Sequence, residues 1–248
     1  MVNMNKKNNL KECAIVVPTH KSVFSDEEEI CIGVNFKTLK NREIYFVTPP
    51  FIDLSYYINS HNVKQIFFPS ERFNSFKNYN DWMLSTELYE NFLSYEYILI
   101  CQTDAIVIRD DLSYWTSRQL DYIGAPWTRK VIFEPNFINK PHLKGARFEL
   151  EVGNGGLSLR NVNNTISVLK KYKEIISEYS GSFEDAMFGL LGLIDKDYRV
   201  ATLADAAAFS LEVSAREIIN ITGKYPMGFH KLYEYDRVLW DELLNEYR

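Results

Sequence analysis

The sequence lacks most of what would mark a nucleic-acid-binding, membrane-spanning or disulfide-built chain. Its 248 residues carry 28 Lys and Arg against 33 Asp and Glu, a net charge of −5, so no positive surplus draws it to a phosphate backbone and no nucleic acid is expected as a partner. The longest apolar run goes only from Ala186 to Ile194, whereas a bilayer crossing takes roughly 20 residues. The N-terminal MVNMNKKNNLKE has no apolar segment of the signal-peptide kind, so export by that route is not expected. Cys13, Cys31 and Cys101 are odd in number and widely spaced, which argues against a disulfide framework or zinc knuckle and for a reducing, cytoplasmic setting. Internal repeats, low-complexity stretches and Gly/Ser-rich or Pro-rich linkers are missing too, so one continuous domain over 1–248 is expected.

What is there is a globular composition: 46% hydrophobic, 15% aromatic and 25% charged, enough for the core of an enzyme-sized unit. Cys13-Ala-Ile-Val-Val17 is a short apolar run ending at Pro18-Thr19-His20, the pattern of a strand covered on both faces and followed by a loop. Asp26-Glu-Glu-Glu29 opens an amphipathic stretch to about Leu39, its carboxylates suited to a solvated helix N-terminus. Glu43 to Thr48 and Val63 to Phe68 are apolar runs stopped by prolines. Trp82, Met83, Leu88 and Phe92 fit one helical period between about Tyr79 and Phe92, and Tyr97 to Cys101 is a further buried strand. This βαβαβ order predicts a doubly wound α/β chain with a parallel sheet, whose ligands bind past the C-terminal strand ends. Leu157-Ser-Leu-Arg160 alternates as a strand, and Tyr233 to Tyr247 reads as a short amphipathic helix packed through Leu239, Trp240, Leu243 and Leu244 on the core or a partner subunit.

The residues just past strand ends are Thr19-His20, Thr48, Ser70 and Gln102-Thr103-Asp104. Asp104 stands between two apolar runs, where a carboxylate is costly to bury unpaired, so it is either a turn residue capping a helix or a ligand-facing group. Gly153-Asn-Gly-Gly156 is either a plain turn or a backbone surface that a ligand can approach closely. Glu184 and Asp185, with Ser182, either cap the helix that begins at Ala186 or face a substrate. His61 and His142 look like ordinary surface residues.

Taken in order, Ile98-Leu-Ile-Cys-Gln-Thr-Asp-Ala105, Tyr122-Ile-Gly-Ala-Pro-Trp127, Gly153-Asn-Gly-Gly-Leu-Ser-Leu-Arg160, Phe183-Glu-Asp185 and Gly228-Phe-His230 resemble the DUF5672 type of GT-A-like glycosyltransferases, from about Tyr79 to His230. The resemblance implies an α/β, GT-A-like (Rossmann-like) fold with a central mostly parallel sheet flanked by helices. It implies a nucleotide-sugar donor half over about 1–108 and an acceptor half over about 109–248. Gln102-Thr103-Asp104 stands where GT-A enzymes carry the DxD motif that helps hold a divalent metal across the donor phosphates. Gln102 replaces the first acid, so Asp104 alone offers an anionic oxygen, and Gln102 offers a neutral carbonyl or a contact to a ribose hydroxyl. The implied cofactor is Mn²⁺ or Mg²⁺, with Asp104 and His230 as metal ligands, since such cations need few protein carboxylates when phosphates complete the shell. His230 would otherwise neutralise the leaving phosphate as an imidazolium, or simply be a hydrogen-bonded loop histidine.

By the same resemblance Pro18, Thr19, His20, Gln102, Thr103, Asp104, Gly155 and Gly156 are donor-binding residues, and Trp127, Gly153 and Asn154 contact the acceptor or sugar. Asp185 matches the xED position of inverting enzymes, whose carboxylate takes the proton of the acceptor hydroxyl, and Glu184 holds the acceptor or takes the base role itself. Asp205 and Glu212 serve as acceptor contacts or structural support, and Trp127, Phe183 and Phe229 are the aromatics placed for sugar and base recognition. The expected activity is inverting transfer of a hexose from a nucleotide-diphosphate sugar, a UDP-sugar foremost, to a glycan or lipid-linked glycan of a cell-surface polysaccharide or lipopolysaccharide. The alternatives are a catalytically inactive nucleotide-sugar or glycan-binding module and a sugar nucleotidyltransferase. The latter needs a Gly-rich basic segment after its first strand, which Pro18-Thr19-His20-Lys21 does not supply. A cytoplasmic location is expected, with peripheral association at the inner membrane face and a homo-oligomer both left open.

Overall fold

The structure, a computed structural model, describes residues 10–61, 63–134, 147–181 and 183–247. In chain order its strands are β1 (Lys11–Pro18), β2 (Glu43–Thr48), β3 (Val63–Phe67), β4 (Tyr95–Cys101), β5 (Ala105–Val107), β6 (Tyr122–Ile123), β7 (Pro126–Phe133), β8 (Phe148–Val152), β9 (Leu157–Asn161), β10 (Ser210–Leu211) and β11 (Gly228–His230). Six of them form the central sheet in the order β3-β2-β1-β4-β9-β6. The first four are parallel, and β9 runs antiparallel to both its neighbours. The continuous apolar runs are explained by cover on both faces: Cys13, Ile15, Val17, Leu99 and Cys101 enter one hydrophobic cluster, and Ala14, Val16, Ile98 and Ile100 the cluster on the other side. The expected α/β class with a mostly parallel central sheet and flanking helices is therefore what the chain forms. Two smaller sheets, β10-β11-β5 and the β7-β8 hairpin, lie beside it.

Several local expectations are corrected. The Tyr79 to Phe92 periodicity is carried by two helices, Phe76–Met83 and Thr86–Glu90, because the Ser85 hydroxyl donates to the Trp82 carbonyl at 2.7 Å and closes the first of them. Trp82, Met83, Leu88 and Phe92 are still all buried, so the period survives the break. The polar face of β9 is as buried as its apolar one, with Ser158 and Arg160 both fully enclosed. Glu28 is not a solvated cap. It is the third residue of helix Asp26–Thr38, closes a capping box with Ser25, and is buried. At the C-terminus, Leu239, Trp240 and Leu243 of helix Arg237–Tyr247 pack on Ile106, Leu211 and Phe229, so this helix covers the molecule's own core. Cys13, Cys31 and Cys101 are free and buried. Among the described residues no helix is long and apolar enough to cross a membrane.

Two registers carry the chain past the sheet edge into one place. Cys101 of β4 faces Leu157 of β9, which lets the Gln102 N–H donate to the Gly156 carbonyl at 2.9 Å. Ala105 of β5 faces His230 of β11, and the Lys231 N–H donates to the Asp104 carbonyl at 3.0 Å. The short strand β5 is held from its other side by Asn35, whose amide donates to the Ala105 carbonyl at 2.8 Å and whose carbonyl accepts the Val107 N–H at 2.7 Å. Replacing Asn35 with Leu strands both backbone groups in the core and is expected to cost about 3 kcal/mol of stability, measured by urea unfolding.

Candidate active site

Past the C-terminal ends of β1 and β4 lies a cleft of about 280 Å³ lined by Pro18, Thr19, His20, Lys21, Glu28, Phe73, Ser75, Phe76, Tyr79, Gln102, Thr103 and Asp104. All of these residues come from the part of the chain expected to bind the donor. Glu28 organises the floor: it accepts from the Thr103 hydroxyl at 2.5 Å, from the Lys21 ammonium at 2.8 Å and from the Ser25 N–H at 3.0 Å. Burial pushes its carboxyl upward, but these three donors outweigh burial and hold it below the usual carboxylate range. The spacing of Ser25 and Glu28 could have revealed the capping box, but nothing local could have shown the reach to Thr103.

A second cavity of about 390 Å³ adjoins the first and shares Phe76, Tyr79 and Gln102 with it. Its walls bring together Trp127, Asn154, Gly155, Gly156, Glu184, Asp185, Glu212, His230 and Lys231. Gly153 is outside that lining and backs Trp127, since a Cβ on it would lie 2.0 Å from the indole. Phe229 is fully buried in the core beneath and does not face either cavity. Asp205 caps its own helix through Thr202 and pairs with Arg118 on the surface, a supporting role away from the cavities. His61 is exposed, with its ring 4.5 Å from that of Phe36. His142 and Ser182 lie outside the described residues. Asn154 and Lys231, both non-glycine, hold left-handed backbones with φ of 49° and 51°, a conformation that costs of order 1 kcal/mol and concentrates at functional sites.

His230 links the carboxylates of this wall. Its Nδ1 is 3.0 Å from Glu212, and its Nε2 is 3.1 Å from Asp104 and 3.2 Å from the Gln102 carbonyl oxygen. Burial disfavours the imidazolium, yet Asp104 and Glu212 together overcome burial and hold it up at about 9. Asp104 is correspondingly held low, burial being outweighed by His230. The Glu212 carboxylate also accepts from the Asn154 amide. The contacts with His230 are close but poorly directed, so Asp104 Oδ1 and His230 Nδ1 remain buried without a well-formed hydrogen bond. Among the described residues no three His, Cys, Asp or Glu side chains have metal-binding spacing. One carboxylate oxygen, one imidazole nitrogen and one amide oxygen do converge, with Nε2 3.1 and 3.2 Å from the two oxygens. Adjacent ligands of an octahedral cation with bonds near 2.1 Å are about 3 Å apart, so Asp104, His230 and Gln102 fit such an ion.

On the opposite wall, Arg160 is 0% exposed and donates to Glu184 at 3.0 Å and to the Tyr89 hydroxyl at 2.9 Å. Its guanidinium also lies over the Phe188 and Tyr122 rings, 4.8 and 5.4 Å from their centroids. Glu184 is thereby engaged, and the Asn80 side-chain carbonyl accepts its N–H at 2.7 Å. Gly155 is required beside it, because a Cβ there would come within 1.9 Å of the Glu184 carboxylate. Asp185 is different. It lines the cavity, no cation among the described residues pairs with it, its Oδ1 accepts the Ala186 N–H at 2.7 Å, and burial followed by the neighbouring Glu184 charge pushes its carboxyl up to about 7.

A cleft at the carboxyl edge of a mostly parallel sheet, closed by an antiparallel strand and a returning histidine, defines a GT-A-like α/β protein, and solved structures share the fold. The galactosyltransferase LgtC, in complex with donor and acceptor sugar analogs, matches with a TM-score of 0.55 at 13% identity over 88% of this chain and 86% of its own. The bifunctional glycosyltransferase WbbM matches at 0.52 and 13% over 92% of this chain and 46% of its own, and mouse xyloside xylosyltransferase 1 at 0.52 and 10% over 89% and 97%. The DUF5672 profile, described as a protein of unknown function, matches residues 62–230, and the chain belongs to that family. No curated protein matches the sequence.

Breaking the buried pair is expected to be costly. Arg160→Met should lower stability by about 3–5 kcal/mol at neutral pH, read by urea unfolding, because Glu184 is left charged and unanswered.

Proposed function

We propose that this chain is a nucleotide-sugar-dependent glycosyltransferase that transfers a hexose with inversion, using Asp185 as the base. The single observation that carries the reading is a cavity-facing carboxyl held near neutrality beside a cleft suited to a nucleotide: Asp185, at about 7, shares a continuous lining with Gln102 and His230. A base poised near the working pH is where proton abstraction from a hydroxyl is most effective. The reaction class is that of the glycosyltransferases that share the fold, and the residue roles are those the family resemblance implies, with this geometry in support.

In this reading Thr19, Thr103 and Lys21 flank the nucleotide, and Lys231 with His230 faces the diphosphate. Asn154 and the Gly155-Gly156 backbone lie against the transferred sugar, with Trp127 as its apolar wall. Asp104, His230 and Gln102 would hold Mn²⁺ or Mg²⁺, which when bound supplies positive charge to the departing diphosphate. Glu184 positions Asp185 and adds its charge to the burial that raises the proton affinity of Asp185. UDP is the proposed nucleotide, and a glycan or lipid-linked glycan of a surface polysaccharide or lipopolysaccharide the proposed acceptor.

Calorimetric titration with UDP, GDP and CMP tests the donor class directly: one of them should bind saturably, and binding of none would remove the transferase reading. Asp185→Asn should lower sugar transfer by about 10²–10⁴-fold while nucleotide affinity and melting temperature hold. The wild-type rate should rise as pH passes through about 7, where Asp185 loses its proton. An unchanged rate in the variant would displace Asp185 as the base, and NMR of the product anomer reads the stereochemistry. Chelation with EDTA should weaken nucleotide binding.

A further inference from the structure

We propose that Phe76 and Phe183 form an aromatic platform that receives the acceptor, an uncharged carbohydrate that lays the apolar C–H face of a pyranose ring on the two side chains. The proposal rests on the reading of Asp185 as the base and locates the acceptor, which that reading leaves unplaced.

The two rings are 59% and 63% exposed, large apolar surface left in water at the lining of the cavity that holds Asp185. Their centroids are 5.1 Å apart at 71°, an edge-to-face pair. They come from distant parts of the chain. Phe76 is the first residue of helix Phe76–Met83, and Phe183 immediately precedes helix Glu184–Ile194. Exposure here does not come with a loose backbone. Asn80, 3% exposed, donates to the Phe76 carbonyl at 2.7 Å and accepts the Glu184 N–H at 2.7 Å, tying the two helix starts together. Asp81 adds a second tie, accepting the Gly181 N–H at 2.7 Å and the Ser180 hydroxyl at 2.8 Å. Rings whose backbones are fixed in advance lose little entropy when they meet a ligand.

Location and charge select the occupant. Phe76 lines both cavities whereas Phe183 lines only the one containing Asp185, so the pair stands on the acceptor side of their junction. Lys77, next to Phe76, is engaged by Asp81 and Ser180, so its charge is answered within the protein. An aromatic surface beside a carboxyl suits a neutral sugar, whose ring rests on the aromatics while one hydroxyl donates to Asp185.

Saturation-transfer NMR on the full chain with UDP present, using the methyl glycosides of glucose, galactose and mannose as probes, tests the platform. At least one glycoside should bind saturably with transfer strongest at its ring C–H protons. Its affinity should fall about fivefold in Phe76→Ala and in Phe183→Ala and be lost in the double variant, while Phe183→Tyr retains it. Both side chains are exposed, so melting temperature should not change, and UDP affinity should hold in Phe183→Ala, whose ring lines only the cavity containing Asp185. Absence of saturable glycoside binding, binding unchanged in the double variant, or a parallel loss of UDP affinity in Phe183→Ala that assigns its ring to the nucleobase would each overturn the proposal. Nucleotide titration of the unsubstituted chain reads the transferase assignment separately, so failure of one is distinguishable from failure of the other.

Discussion

A guanidinium with no exposed surface has to be answered by a carboxylate, and the answer Arg160 receives sets much of the site. Arg160 comes from β9, the strand that turns the parallel sheet antiparallel, and Glu184 from the start of a helix on the other side of the cavity. The ion pair, roofed by Tyr122 and Phe188 and completed by Tyr89, ties sheet to helix at 3.0 Å. Desolvating such a pair is expensive, and its value is positional: it holds Asp185 at the cavity wall and leaves its charge without a partner of its own. The raised proton affinity of Asp185 comes first from its burial at that wall and then from the Glu184 charge beside it.

The opposite wall handles charge in another way. Asp104 and Glu212 approach one imidazole from its two nitrogens, and the neutral Gln102 takes the place where a further acid would add to the repulsion. The cluster needs one positive charge at its centre, and a proton on His230, held there by Asp104 and Glu212, supplies it.

The sheet was legible in the sequence because strands covered on both faces leave uninterrupted apolar runs, as in Cys13 to Val17 and Tyr97 to Cys101. The candidate residues past those strands do converge, because the two antiparallel registers are consequences of the same short runs at Leu157 and Gly228. What escaped was whatever depends on distant partners. Glu28 looks like an ordinary helix-start carboxylate until Thr103 is seen beside it, and Arg160 looks like the polar side of an alternating strand until Glu184 closes over it. Asn35 and Asn80, each bridging two segments from inside, carry no local signal at all. Phe229 was misplaced for the converse reason: it sits in a recognisable motif, but the motif's neighbour His230 takes the cavity side and leaves Phe229 to the core.

The clearance at Gly156 has a consequence for how such a site can change. A Cβ there would lie 2.2 Å from the His230 Nε2, and one at Gly155 would overlap the Glu184 carboxylate. The floor is therefore filled to within a methyl group, and a substitution at either glycine is tolerable only together with a change at its charged neighbour. Such coupled steps are reached rarely by single mutations. Diversification of what the cavity accepts is accordingly channelled to its rim, where side chains can be exchanged one at a time, while the floor stays frozen as a unit.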